Sequence, residues 1–299
     1  MKEVEILSSP VVDRIVDTAI EEDLGNGDPT TAITVSPARQ AVGRVVARQE
    51  MVVAGLQVFE RVVNRVDPYV SVSMKVSDGT RVHKGEEIAI LGGRAVSILA
   101  AERVALNFLQ RLSGVATLTR AYVKQIPEGS KTRITDTRKT TPGMRALEKH
   151  AVRCGGGTSH RCDLGGGILI KDNHVAACGS VAMAVASARE NMDPSHRIEV
   201  EVESLDQVNE ALTAGAEVIM LDNMKAEDVA TAVQRISGRA LIEVSGNVGI
   251  EDVPRLARAG IDFVSVGAIT HSAPACDISL DLEIEGDPAC AHPDGRRPC

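Results

Sequence analysis

Residues 198–223 read IEVEVESLDQVNEALTAGAEVIMLDN, and the fold follows from how this stretch is parsed. Val200 and Val202 alternate with Glu199, Glu201 and Glu203, the period of two that a strand imposes. LDQVNEALTAG then switches to helix-period apolar positions, and VIMLDN is a second short apolar strand. Strand, helix and strand in so few residues form a parallel βα repeat. Outward from it the texture recurs as TRITDTR (132–138), GILIKDN (167–173), LIEVSGN (241–247) and FVSVGA (263–268). Strand starts lie 20–35 residues apart, with helical segments such as VAMAVASARE (181–190) and AEDVATAVQRI (226–236) between them. Six strands fall short of the eight of a full barrel, so the expectation is an α/β protein with an incomplete, open parallel αβ barrel.

The N-terminal part reads differently. Residues 11–23 have amphipathic helical spacing, and EDLGNGDPTT (22–31) is a polar loop with Asp28, Thr30 or Thr31 as its cap or turn residue. Between about 40 and 98, Val and Ile alternate with polar residues around turns at SDGT and HKGE, which predicts short antiparallel strands. Residues 97–125 return to helical spacing, with a break expected around Ser113 and Gly114. The expected organisation is an N-terminal α/β sandwich domain over 1–112, joined by 273–285, a barrel over 113–272, and a flexible tail over 286–299.

Composition narrows the function classes. The chain has 299 residues, 43% hydrophobic and 25% charged, as ordinary soluble globular domains do. With 2% aromatic residues, no Trp and a formal charge of −8, it offers few base-stacking platforms, which argues against nucleic acid as a partner. No apolar run approaches the ~18 residues of a membrane span. The N-terminus has no apolar signal-peptide core, so a cytoplasmic protein is expected. The six cysteines (Cys154, Cys162, Cys178, Cys276, Cys290 and Cys299) show no CxxC pair or zinc spacing and read as reduced, mostly packed thiols.

Against this acidic background, residues 131–174 hold nine Lys and Arg to four acids. Positive charge gathered in one segment of an acidic chain focuses a field on an anionic ligand. In a βα barrel the ligand meets the C-terminal strand ends. Read in order, those ends give Thr137, Arg138 and Lys139; Lys171, Asp172 and Asn173; Glu201 and Glu203; Asp222 and Asn223; Ser245, Gly246 and Asn247; then Gly267 and Ala268. Cations come first, carboxylates next, and small residues last, where barrels often seat a phosphate on backbone N–H groups. Helices cover a barrel's outside, so the glutamates of IEVEVES are expected inside, where they need cations or a metal. Glu201 with Asp222 suits Mg²⁺, which takes one or two carboxylates plus substrate phosphate oxygens. In TTPGMRALEKHAV (140–152), Thr141 is the candidate N-cap with Pro142 in the first turn. Arg145 and Lys149 share a helix face that is open either to solvent or to ligand. His160 and Arg161 follow the Gly-rich GGGTS.

TDTRKTTPGMRALEKHAVRCGGGTSHR, GILIKDNHV, EVEVES, LDN, SGN and VGAITHS, in that order, resemble the quinolinate phosphoribosyltransferase family. EDLGNGDPTT and AERVALNFLQRLSGVAT resemble that family's N-terminal region, so the likeness runs from about residue 10 to 283. The resemblance implies an N-terminal α/β sandwich, an open αβ barrel, and a homodimer whose active sites each take an arginine from the neighbouring subunit. It implies transfer of the phosphoribosyl group of 5-phosphoribosyl 1-pyrophosphate to quinolinate, with CO₂ release, in NAD biosynthesis. Carried over, Thr137, Arg138, Lys139, His160, Arg161 and Lys171 surround the pyridine dicarboxylate, with Lys139 and Lys171 among the catalytic groups. Arg103 matches the arginine delivered across the interface, and Glu201 and Asp222 match residues around the ribose and Mg²⁺. Ser245, Gly246, Asn247, Gly267 and Ala268, with His271 nearby, match the 5′-phosphate loops. The nearest alternative is a related phosphoribosyltransferase with another acceptor, such as nicotinate. A biotinyl-type carrier is a more distant one, suggested by VSDGTRVHKGEEIAIL (76–91), but the following residues lack the lysine it needs.

Overall fold

The computed structural model describes residues 10–193 and 195–284. It divides into two compact units: residues up to Gly114 together with those from Ala275 onward, and Val115–Pro274. The tail expected over 286–299, with Cys290 and Cys299, lies outside the described residues.

In the first unit, helix Pro10–Leu24 buries Val12 and Val16, the apolar face that its spacing predicts. Helix Pro29–Thr34 is capped by Asp28, whose carboxylate accepts from the Thr31 amide at 3.0 Å. The strands are β1 (Gln40–Ala47), β2 (Met51–Val52), β3 (Ser71–Met74), β4 (Arg81–Val82) and β5 (Glu87–Arg94), with helix Leu56–Val66 between β2 and β3. Phe59, Val62, Ile88 and Leu91 are among the side chains buried in its core. Helix Ala95–Val123 follows without interruption, so the break expected at Ser113 and Gly114 is corrected. Ser113 is fully buried, and its hydroxyl accepts from the Ala54 amide at 3.1 Å. A tertiary partner for that hydroxyl removes its competition with the helix backbone.

The second unit carries six parallel strands: β6 (Arg133–Thr135), β7 (Ile168–Ile170), β8 (Ile198–Val202), β9 (Val218–Asp222), β10 (Leu241–Ser245) and β11 (Phe263–Ser265). Their order is β6-β11-β10-β9-β8-β7, so β6 and β7 are the edge strands of an open α/β barrel. Thr158 makes a parallel bridge to Thr135 along the β6 edge. Helices Val181–Asn191 and Leu205–Ala214 pack on β8 from outside and bury Val200 and Val202, leaving the glutamate face for the interior. The chain ends its described course in β12 (Ile278–Ile284), which returns to the first unit and pairs antiparallel with β1 in a four-stranded sheet ordered β12-β1-β5-β3. Among the described residues, no helix is long and apolar enough to cross a membrane.

Candidate active site at the strand ends

The strand ends of the second unit surround a cavity of about 420 Å³. Thr137, Arg138 and Lys139 follow β6, Lys171 follows β7, Glu201 lies on β8, and Asp222 and Ser245 close β9 and β10; all line it, with His160 and Arg161 from the loop beside β6. Cations and carboxylates expected at the strand ends therefore share one space. Glu201 pairs with Met220 in the parallel register, so Asp222, two residues on, shares its face of the sheet.

The arginines stand ready for an anion. Nε of Arg138 and Nε of Arg161 are buried with no acceptor. Burial, then the charge of Arg138, lowers the Arg161 pKa, against the opposing pull of Glu199 and Asp163, so the two arginines repel each other within the same wall. Arg161 spends one nitrogen on the Gly167 carbonyl at 2.9 Å. Like charges held together with idle donors gain most when a carboxylate enters, because charge-assisted bonds are about twice as strong as neutral ones. Lys171 instead pairs with Glu201, whose side chain is 10% exposed. Arg145, half-buried and outside the cavity lining, donates to the Thr140 hydroxyl at 3.0 Å and the Cys162 carbonyl at 3.1 Å, tying two site loops together.

The cavity wall continues into a polar layer of which sequence reading singled out His160 and expected Glu199 inside the barrel, but gave no site role to Asp136, Glu243 or Ser265. Lys149 and Asp136 form an ion pair that is almost fully buried. The Asp136 carboxylate also accepts from the His160 amide at 2.9 Å, and Lys149 donates to the His160 carbonyl at 3.0 Å. Burial pushes the Asp136 carboxyl up, against the opposing pull of Lys149. Nε2 of His160 lies 3.1 Å from Glu199 and 3.8 Å from Glu243, and the Ser265 hydroxyl donates to Glu243. A carboxylate inside an apolar strand, as in LIEVS or RITD, is the signal that could have found this layer. Helix Arg145–Cys154 starts three residues later than Thr141 would have it as the cap, a second correction. The Thr141 amide and hydroxyl both donate to Glu148, at 3.0 and 2.7 Å, so its oxygen is not capping.

At β9 and β10 the backbone turns left-handed, at Asn223 (φ 52°), Gly246 (φ 92°) and Asn247 (φ 48°). A Cβ on Gly246 would sit 2.8 Å from the Asn223 nitrogen, so only glycine fits. Gly246 and Asn247 line a smaller hollow of about 180 Å³ that shares Ser245 with the main cavity. Gly267 packs against Lys139 and His271, each 3.2 Å from where its Cβ would be. Ala268 opens helix Ala268–His271, a single turn, which leaves backbone N–H groups rather than a long helix dipole as that loop's resource. Gly267, Ala268 and His271 stand outside both linings, and Arg103 is exposed on helix Ala95–Val123. The four cysteines among the described residues form no disulfide; Cys162 is exposed, against the expectation of packed thiols, and Cys276 is buried.

Glu201 and Asp222 fit a metal that substrate completes. Among the described residues Asp222 accepts from the Asn223 side-chain amide, at 2.8 Å, and Glu201 from Lys171, which leaves carboxylate oxygens of both open to the cavity. The three potential ligands clustered in the barrel interior are His160, Glu199 and Glu243 instead.

Comparison with known proteins gives the same answer twice over. Family models for the quinolinate phosphoribosyl transferase N-terminal and C-terminal domains match residues 28–113 and 115–281. The chain is 44% identical over 271 residues to the nicotinate-nucleotide pyrophosphorylase [carboxylating] of Mycobacterium leprae, covering 88% of this chain and 94% of that one. It is 41% identical over 266 residues to the probable nicotinate-nucleotide pyrophosphorylase [carboxylating] of Bacillus subtilis, covering 89% and 91%. The crystal structure of NadC from Streptococcus pyogenes superposes with a TM-score of 0.87 at 42% identity, over 91% of this chain and 96% of that one. With both domain models matched in order along one chain, the protein belongs to the quinolinate phosphoribosyl transferase family.

Proposed function

We propose that the cavity at the barrel's strand ends carries out the family's reaction, with each strand-end group in the role its charge and position suit. The activity is decarboxylating quinolinate phosphoribosyl transfer in NAD biosynthesis. What supports this site is the pair of buried, acceptor-less guanidinium nitrogens beside two carboxylates in one cavity. Arg138 and Arg161, with Lys139 and Lys171, hold the two quinolinate carboxylates; guanidinium forks match carboxylate geometry. Glu201 and Asp222 face the ribose, where positive charge develops as pyrophosphate departs from C1. They would hold Mg²⁺, which when bound neutralises the departing pyrophosphate. The Ser245, Gly246 and Asn247 turn and the Gly267, Ala268 and His271 turn take the 5′-phosphate on backbone N–H groups.

The pyridine nitrogen attacks C1 and the C1–oxygen bond to pyrophosphate breaks. The adjacent ring carboxylate then leaves as CO₂; its bond electrons stay on the ring carbon beside the pyridinium nitrogen, and that carbon takes up a proton. No side chain need act as nucleophile, so the site works by orientation and fixed charge. Asp222→Ala is expected to lower turnover by roughly 100-fold at saturating quinolinate and to weaken its dependence on Mg²⁺, while thermal stability stays near wild type. Turnover measured against Mg²⁺ concentration checks this, and an unchanged metal response counts against the assignment.

Arg103, in this proposal, reaches the active site of a second copy in a homodimer. Mixing an Arg103→Ala variant with a Lys171→Ala variant, each inactive alone, should then restore about a quarter of wild-type activity, because half the dimers regain one complete site. No recovery on mixing would place Arg103 outside the partner's site.

A further inference from the structure

We propose that Glu243 and Glu199 are positioning residues for the acceptor: acting through the His160 ring, they fix the Arg161 main chain and with it the guanidinium that meets a quinolinate carboxylate. This rests on the reading above that the cavity holds quinolinate.

Both nitrogens of His160 are used inside the protein. The Arg161 amide donates to Nδ1 at 2.8 Å, and Nε2 lies 3.1 Å from the Glu199 carboxylate. An N–H donating into Nδ1 needs the lone pair there, so the ring proton sits on Nε2 and is given to Glu199. The same tautomer disqualifies the cluster as a metal centre as it stands. His160, Glu199 and Glu243 place ligand atoms within 4.8 Å of one another, but a protonated Nε2 has no lone pair to coordinate with.

Glu243 is the far support of this arrangement. Its oxygen accepts from Ser265, and the single Ser265 proton spent there leaves Thr135 to donate to Ser265 across 2.7 Å. Burial, then the Glu199 charge, pushes the Glu243 carboxyl up to about 7. Oε1 of Glu199 is buried without a hydrogen-bond partner of its own. The His160 main chain is gripped on both sides by the Asp136–Lys149 pair. Residue 160 is thereby held at its amide, its carbonyl and both ring nitrogens. Its one outward product is the placement of Arg161, whose Nε still lacks an acceptor.

The test compares Glu243→Ala with Glu243→Gln by steady-state kinetics in both substrates and by ¹⁵N NMR of the His160 imidazole. Glu243→Gln keeps an acceptor for Ser265 and offers Glu199 an N–H donor. Glu243→Ala should raise the quinolinate KM about tenfold, with the 5-phosphoribosyl 1-pyrophosphate KM and kcat within about twofold of wild type. It should also lose the pure Nε2–H signature. Glu243→Gln should bring the quinolinate KM back to within about threefold and keep that signature. Should Glu243→Ala fail to fold, Ser265→Ala removes the donor to Glu243 and should shift the quinolinate KM alone, in the same direction. The inference is overturned if both KM values rise together in step with lost thermal stability, if the glutamine variant does not recover, or if the alanine variants behave as wild type. A wild-type protein that does not turn over quinolinate would instead sink the functional reading beneath it.

Discussion

Replacing Lys149 by Met should destabilise the protein by about 3–5 kcal/mol, the usual consequence of removing one partner from a buried ion pair. Asp136 is fully buried and would keep only the His160 amide as a donor. Its carboxyl is already raised by burial with Lys149 present, and without that cation it rises further. A raised folded-state pKa means the native state takes up the proton before the unfolded chain does. The deficit is therefore greatest well above the raised value and shrinks as the pH falls through it, where the carboxyl becomes neutral. Urea unfolding of both proteins at about pH 8 and pH 5 checks the sign. A deficit that grows on acidification would contradict the account. The loss should also reach function, because Lys149 holds the His160 carbonyl.

Arg138→Ala should weaken quinolinate binding by roughly 30- to 150-fold, equivalent to one charge-assisted, bidentate contact of about 2–3 kcal/mol. Affinity for 5-phosphoribosyl 1-pyrophosphate should stay within about threefold, because the proposal assigns that substrate's 5′-phosphate to the loops after β10 and β11. Arg138→Lys should recover little, since an ammonium cannot present the fork. Lys171→Ala should behave differently. Lys171 is paired with Glu201, so its removal bares a carboxylate beside the ribose and disturbs both substrates. Titration calorimetry with each substrate separates the cases. Near-normal quinolinate affinity in Arg138→Ala would remove this arginine from the acceptor site.

The mouth of the barrel was legible in the sequence because strand periodicity converts directly into place. Once TRITDTR, GILIKDN and VIMLDN are strands, the residues that end them must share one face of the fold, and Arg138, Lys171 and Asp222 do line one cavity. The buried carboxylates Glu243 and Asp136 were not legible. Glu243 lies in an apolar strand and Asp136 directly follows one, where a carboxylate can equally face water, and their partners Ser265 and Lys149 come from other elements. The continuous helix through Ser113 has the same cause, since the Ala54 amide that satisfies its hydroxyl lies 59 residues earlier. Thr141 misled for a local reason: Ser and Thr hydroxyls can donate as well as accept, and here Glu148 takes the proton.

A crystal structure with quinolinate bound tests the central claim most directly. The account predicts the pyridine ring inside the cavity at the strand ends, its carboxylates on the idle Nε groups of Arg138 and Arg161, and its ring nitrogen turned toward Glu201 and Asp222. Quinolinate seated elsewhere, or seated there with its carboxylates away from both arginines, would contradict it.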